Sequence, residues 1–285
     1  MSSAHAQIEE QKATNQSSID HFAFFEEHRR RVTALALAAA AKLGPAPRLC
    51  VLGAGNCYDL DLAELGGSFA EIHLVDLDGA ALARACERQD EGVRARLHAH
   101  APVDLTGALE RVDAWKRMEV TPQELMAWPS AASSNVAKGL PGPFDVVISA
   151  CVLSQLHFAM LNVLSDKHRL FEPVRQLLNL VHLRTVAQLL APASLGLLIN
   201  DVASDEMIAT SGAEPTLAPL ALLQELARRR FLIHAVEPAF LEWSVREDPF
   251  LCRTVQLAPP KDAWHWQVGP DRSFLVCAQQ LTRRP

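Results

Sequence analysis

The sequence predicts an α/β chain built on a mainly parallel sheet, and three observations predict it. Short apolar runs alternate with longer segments whose apolar residues recur at three- and four-residue steps, the pattern of buried strands alternating with helices that cover them. Most of those runs close on a polar or glycine residue, at 53–56, 76, 104, 149 and 200–201. Aromatic residues make up only 6% of the chain while alanine and leucine abound, which suits helices on a sheet better than a sandwich of two sheets.

The elements follow in order. Residues 1–18 are polar and are expected to form a disordered tail. From Ile19 to Leu43 the spacing of Phe22, Phe25, Val32, Leu35 and Ala39 predicts a long helix that Gly44-Pro45 ends. Strands are predicted at 48–53, 71–76 and 95–103, with helices opening near Tyr58 and covering 79–89 and 105–118. A loop rich in Pro, Ser and Gly is expected over 128–143, then a strand at 144–149 (FDVVIS). Residues 152–191 read as mostly helical with a break at Pro173. A strand at 195–200 and a helix at 217–229 come next. Two more strands are expected at 240–245 and 273–281, joined by a long segment holding Trp264 and Trp266.

A chain of 285 residues, 49% hydrophobic, has ample material for one large core. Its net charge of -6 lacks the basic footprint of a nucleic-acid binder, and the arginine runs at 28–31 and 228–230 fall on amphipathic helix patterns as solvated faces. No run reaches the length of a membrane span and the first 20 residues are polar, so neither a spanning segment nor a secretory signal is expected. Six cysteines are scattered without a paired spacing. Cys50, Cys151 and Cys277 lie in apolar runs as small core residues, the pattern of a reduced, cytoplasmic protein. No zinc spacing appears, and no metal site is expected.

Residues 51–56 read VLGAGN. Right-handed crossovers place every parallel strand's C-terminal tip on one edge, where ligands of such sheets bind. Gly53 and Gly55 let the chain turn there and let a ligand approach the backbone. Twenty-one residues beyond Gly55 stands Asp76, an acid able to accept hydrogen bonds from both hydroxyls of a ribose. Two ligand classes fit: a nicotinamide or flavin dinucleotide, and S-adenosylmethionine. The last glycine of the dinucleotide fingerprint is replaced by Tyr58, followed by Asp59 and Asp61, a poor seat for a diphosphate. S-adenosylmethionine carries no phosphate and brings two cationic groups that nearby acids tolerate.

VLGAGN, then LVDLD, VDLTG and FDVVISACVLSQL, in this order and spacing, resemble the class I S-adenosylmethionine-dependent methyltransferases over about residues 46–201. The resemblance implies a Rossmann-like, seven-stranded, mainly parallel sheet with helices on both faces and an antiparallel last strand, residues 19–45 adding an N-terminal helical cap to a domain at 46–285. It implies Gly53, Ala54, Gly55 and Asn56 around the methionine part of the cofactor and Asp76 at the ribose. It sets Leu77 against the adenine, Asp104 and Leu105 at its edge, and Ser149, Ala150 and Cys151 along the pocket. The chain departs from the family at Val51, where an acid is common, and at Cys57, where a third glycine is common; Asp59 or Asp61 can then take over the ammonium. Asp78 is read as the cap of the next helix.

Methyl transfer is an in-line displacement that depends on alignment and exclusion of water. A base is needed only when the acceptor is a hydroxyl or a protonated amine. The candidates are His157, Asp201 and His21, with His265 as a fourth. The expected acceptor is a small molecule in a pocket walled by the 19–43 helix, residues 156–171 and the tryptophan pair. The alternatives are a nicotinamide-dependent oxidoreductase and a noncatalytic adenosyl-binding protein.

Overall fold

A computed structural model describes residues 3–214 and 216–285. The chain opens with α1 (Ser3–Ser17), a 3-10 turn (Ile19–Phe25) and α2 (Glu26–Ala40). The sheet and its covers follow as β1 (Arg48–Leu52), α3 (Leu62–Gly66), β2 (Glu71–Val75), α4 (Gly79–Glu87), α5 (Glu91–Arg94), β3 (Leu97–His100), α6 (Val112–Lys116), α7 (Pro122–Gly139) and β4 (Phe144–Ala150). The remainder is α8 (Val152–Leu164), α9 (Phe171–Leu189), β5 (Leu190–Ser204), α10 (Asp205–Thr210), α11 (Pro219–Arg229), α12 (Pro238–Glu247), α13 (Leu251–Thr254), β6 (Val255–Leu257), β7 (Asp262–Gly269) and β8 (Arg272–Arg283).

The strands lie in the order β3-β2-β1-β4-β5-β8-β6, with β7 also on β8. The pairs from β3 through β5 are parallel, and β8 runs antiparallel to β5. The expected sheet has seven strands and the structure has eight, for a local reason. β6 pairs with Leu281–Arg283 and β7 with Arg272–Ala278, along one edge of β8. They are two pieces of one edge strand interrupted at Pro259-Pro260, which have no N–H to give a ladder and are tolerated at an edge.

Alternation along each strand sorts the core. Leu49 and Val51 of β1 face α2, α3 and α4, whereas Cys50 and Leu52 face the layer of α8, α9, α11 and α12. A third cluster under α6 and α7 centres on Trp115 and Trp128. The chain winds outward from β1 to β3 on one side and from β4 to β5 on the other, so the crevice between the β1 and β4 tips is the switch point of the fold.

Several expectations are corrected. Residues 3–17 form α1 instead of a tail, and the single helix at 19–43 divides into the 3-10 turn and α2. The expected loop at 128–143 is largely α7, started by a capping box between Thr121 and Glu124 with Pro122 in its first turn. Burial of Leu125, Trp128, Ala132 and Val136 outweighs the hydrogen bond that Pro129 removes. The helix expected over 105–118 shrinks to α6, because Asp104 holds residues 104–109 in a turn. The break in 152–191 falls at 165–170, and Pro173 sits in the first turn of α9, where it is tolerated. The strand expected at 240–245 is α12, and the segment before the last strand contains β7.

Candidate functional site

The glycine loop stands at the switch point. Gly53 and Gly55 have φ of +68° and +49°, left-handed conformations that cost a side-chain-bearing residue strain. A Cβ on Gly53 would lie 2.3 Å from Val152 Cγ2 at the start of α8, so only glycine fits where the two strand tips meet. The Gly55 N–H donates to Asp76 Oδ2 and the Asp78 N–H to Asp76 Oδ1, both at 2.8 Å. Burial pushes the Asp76 carboxyl above its usual range, with those backbone bonds opposing the shift. Each carboxylate oxygen keeps a lone pair beyond these bonds. Asp78 caps α4 by accepting from the Ala80 and Ala81 N–H groups, as the sequence suggests.

Beyond the loop there is no helix start. Residues 56–61 are clamped by side chains: Arg84 donates to Asn56 Oδ1 (3.1 Å), Arg29 to the Tyr58 carbonyl (3.1 Å), and the Tyr58 hydroxyl to the Ile19 carbonyl (3.0 Å). Helix α3 begins only at Leu62, has five residues, and is capped by the Asp61 carboxylate accepting from the Glu64 N–H. A diphosphate would meet no helix N-terminus at this loop and so no favourable dipole.

Other residues singled out from the sequence divide between tip and interior. Leu77 is half-buried beside Asp76. Asp104 accepts from the Thr106 N–H and hydroxyl and the Leu109 N–H, and so serves its own turn, while Leu105 is part of the core. The Ser149 hydroxyl pairs with His182 Nε2 (2.7 Å) and is directed at α9. Ala150 and Cys151 are buried at the β4 tip, Cys151 in a left-handed turn with φ of +50°. Burial raises the thiol pKa values of Cys50, Cys57, Cys151 and Cys277, which makes them inert packing groups.

The three candidate bases lie in three places. His157 is buried between α8 and α9, its Nε2 2.6 Å from Asn179 Oδ1, and desolvation pulls its pKa down to about 4. His21 rests edge-on against Phe24 next to Gly269 in the β7–β8 turn. Asp201 is at the tip edge on the part of β5 that outruns β4, and Ser154 donates to its Oδ1 at 2.6 Å. Burial pushes its pKa up to about 7, the value that suits a base at neutral pH.

One arrangement has no signal in the sequence because its members are far apart along the chain. The Trp264 indole N–H donates to His28 Nδ1 (3.0 Å), which places the ring proton on Nε2, and that nitrogen lies 3.2 Å from Asp59 Oδ1. Trp266 stacks on the same imidazole with centroids 4.4 Å apart, and Phe25 bridges Trp266 to Tyr58. Of the two acids offered for an ammonium, Asp61 is spent on its helix cap and the buried Oδ1 of Asp59 faces His28.

Among the described residues Glu71, His73 and His98 are close enough to ligate a metal. The Arg48 guanidinium already occupies that group, donating to Glu71 Oε2 at 2.6 Å and lying 3.4 Å from His73 Nε2. A cleft of about 580 Å³ opens between the 3-10 turn, α2 and the β7–β8 turn, lined by Glu27, Asp205, His265, Asp271 and Arg272. A second, of about 360 Å³, lies between the 102–111 loop and α7. No described helix is long and apolar enough to cross a membrane.

No family model matches the sequence, and no curated protein matches it. Among solved structures the chain is similar to magnesium protoporphyrin IX methyltransferase from Synechocystis, with 14% identity, 90% of this chain and 83% of that one covered, and a TM-score of 0.44. It is similar to an rRNA methylase from Streptococcus thermophilus at 10% identity, covering 87% and 92% with a TM-score of 0.42. An amino pentose methyltransferase of calicheamicin biosynthesis from Micromonospora echinaspora matches at 16% identity and a TM-score of 0.34, over 60% of this chain and about half (49%) of that one.

Proposed function

We propose that the chain is an S-adenosylmethionine-dependent methyltransferase that methylates an O or N atom of a small molecule in the cytoplasm. Residues 46–285 form its catalytic domain and 19–45 a cap. One observation carries the reading: the glycine loop at the switch point leads to a buried ribose-type acid, Asp76, and to no helix N-terminus. A nucleoside without phosphate suits that surrounding, and a dinucleotide does not.

S-adenosylmethionine supplies a methyl group activated on a sulfonium. The chain's part is to hold the nucleoside by the Gly53–Asn56 loop and Asp76, to exclude water with the cap, and to take a proton from the acceptor. Asp201 is suited to that last role: at neutral pH a large share of it is ionised, and the Ser154 hydroxyl fixes one oxygen so that the other is free to accept. The cleft of about 580 Å³, bordered by Asp205 directly after β5, has the size of a small acceptor.

The test is turnover. The protein is incubated with S-adenosylmethionine and a panel of small alcohols, phenols and amines, and S-adenosylhomocysteine release is followed. The expected result is product with some acceptors and a loss of about 10²–10⁴-fold in Asp201→Asn for hydroxyl acceptors. A second reading, a noncatalytic adenosyl-binding protein, is favoured by the burial of Asp201, which does not line the cleft of about 580 Å³. Adenosyl binding without product from any acceptor would establish that reading in place of the first.

A further inference from the structure

Helix α1 crosses the tip edge. The Asn15 Nδ2 group donates to Asp78 Oδ2 (3.0 Å), Asn56 Nδ2 donates to the Asn15 carbonyl (2.7 Å), and Asn15 Oδ1 lies 3.3 Å from where a Cβ on Gly55 would be. Two turns earlier Gln7 donates to the Ala159 carbonyl of α8 (3.0 Å), and Asn162 of α8 donates to Glu10 (2.8 Å). The space over the glycine loop is therefore taken by a carboxamide using polar groups that a bound ligand would need.

The attachment of α1 is of an unusual kind. Its buried side chains with described burial are Gln7 and Asn15, both amides, on one face of the helix. No apolar stripe holds it, so it has little of the burial that keeps amphipathic helices in place. Its last turn contains no basic residue, and the carboxylate of Asp78 lies beside it, held by the Asn15 amide, with Arg84 no nearer than 4.0 Å to that carboxylate. A helix C-terminus carries partial negative charge, so that encounter is unfavourable. A segment held by a few exchangeable hydrogen bonds against an opposing dipole is one that opens locally.

We propose that α1 is a built-in plug of the cofactor cleft: Asn15 stands in the ligand's place over Gly55, and the cofactor binds the fraction of molecules in which α1 has lifted away. This rests on the adenosyl reading given above. It sets the apparent affinity, because a site competent for only part of the time binds in proportion to that fraction.

The experiment uses the full chain and two substitutions, Asn15→Ala at the loop and Gln7→Ala, which touches α8 and no part of the cofactor cleft. S-adenosylhomocysteine is titrated by calorimetry, and hydrogen exchange of the α1 amides is followed with and without it. Both variants are expected to bind more tightly, by about 3–10-fold, and the ligand is expected to speed exchange in α1. Weaker binding by both variants, with the ligand protecting α1, would make the helix a closing cover and overturn the plug. Equal affinity in all three proteins would overturn the plug alone. Absence of binding in all three would overturn the adenosyl reading and the plug with it.

Discussion

Asp201→Asn is an isosteric change whose effect on stability can be worked out from the site. Burial raises the carboxyl in the folded protein to about 7, against 3.8 for the free group. The folded state therefore holds its proton more tightly than the unfolded chain, and the sign follows. Stability is untouched below the unfolded value, and it is lost as pH rises through the folded one. The loss is about 2 kcal/mol at pH 5 and levels off at about 4 kcal/mol by pH 8, from 1.36 kcal/mol for each unit of pKa difference. Asparagine never ionises, and its Oδ1 still accepts from Ser154. The difference in unfolding free energy between Asp201→Asn and the natural protein should therefore move in favour of the variant by about 2–3 kcal/mol between pH 5 and pH 8. Urea denaturation at a series of pH values measures it, with m-values compared so that only stability changes are counted. A difference that stays flat over that range, or runs the other way, would refute the burial argument for Asp201.

Gly53→Ala should destabilise the fold by about 2–5 kcal/mol, the sum of a left-handed backbone cost and an overpacked contact, because its Cβ meets Val152 at 2.3 Å. Gly44→Ala, which meets nothing within 4 Å, is the control and should stay within about 0.5 kcal/mol in the same denaturation assay. His157 and His182 are held near 4 by burial. Each lowers stability as pH falls from the unfolded value of about 6.5 towards 4, so His157→Gln and His182→Gln should each flatten the acid limb of the stability curve. An unchanged limb in both would show that these rings are solvated.

The central strands were legible because each is a short apolar run closed by a polar tip, and Gly53, Asp76 and Asp201 mark three of those tips. What the sequence concealed has physical causes. Helix α1 carries no apolar periodicity, and its position depends on two carboxamides whose partners are 63 and 152 residues away. Helix α7 hides behind Pro129 and a run of small residues, although Thr121 and Glu124 spell its capping box. Strand β7 does show the two-residue alternation, Trp264 and Trp266 inward and His265 and Gln267 outward, but the prolines before it resemble a linker. Ser149 and His157 are polar residues near a strand tip that turn inward to His182 and Asn179, and sequence position alone does not give the direction of a side chain. The pairing of His28 with Asp59 and Trp264 joins three distant segments that only the fold brings together.

The central claim is that the glycine loop and Asp76 hold an adenosyl group bearing no phosphate. Calorimetric titration with S-adenosylhomocysteine and, separately, with NADH tests it most directly. The account predicts saturable binding of the first and none of the second, with Asp76→Ala weakening the first by about 1–3 kcal/mol. Binding of NADH in place of S-adenosylhomocysteine, or adenosyl binding indifferent to Asp76, would contradict it.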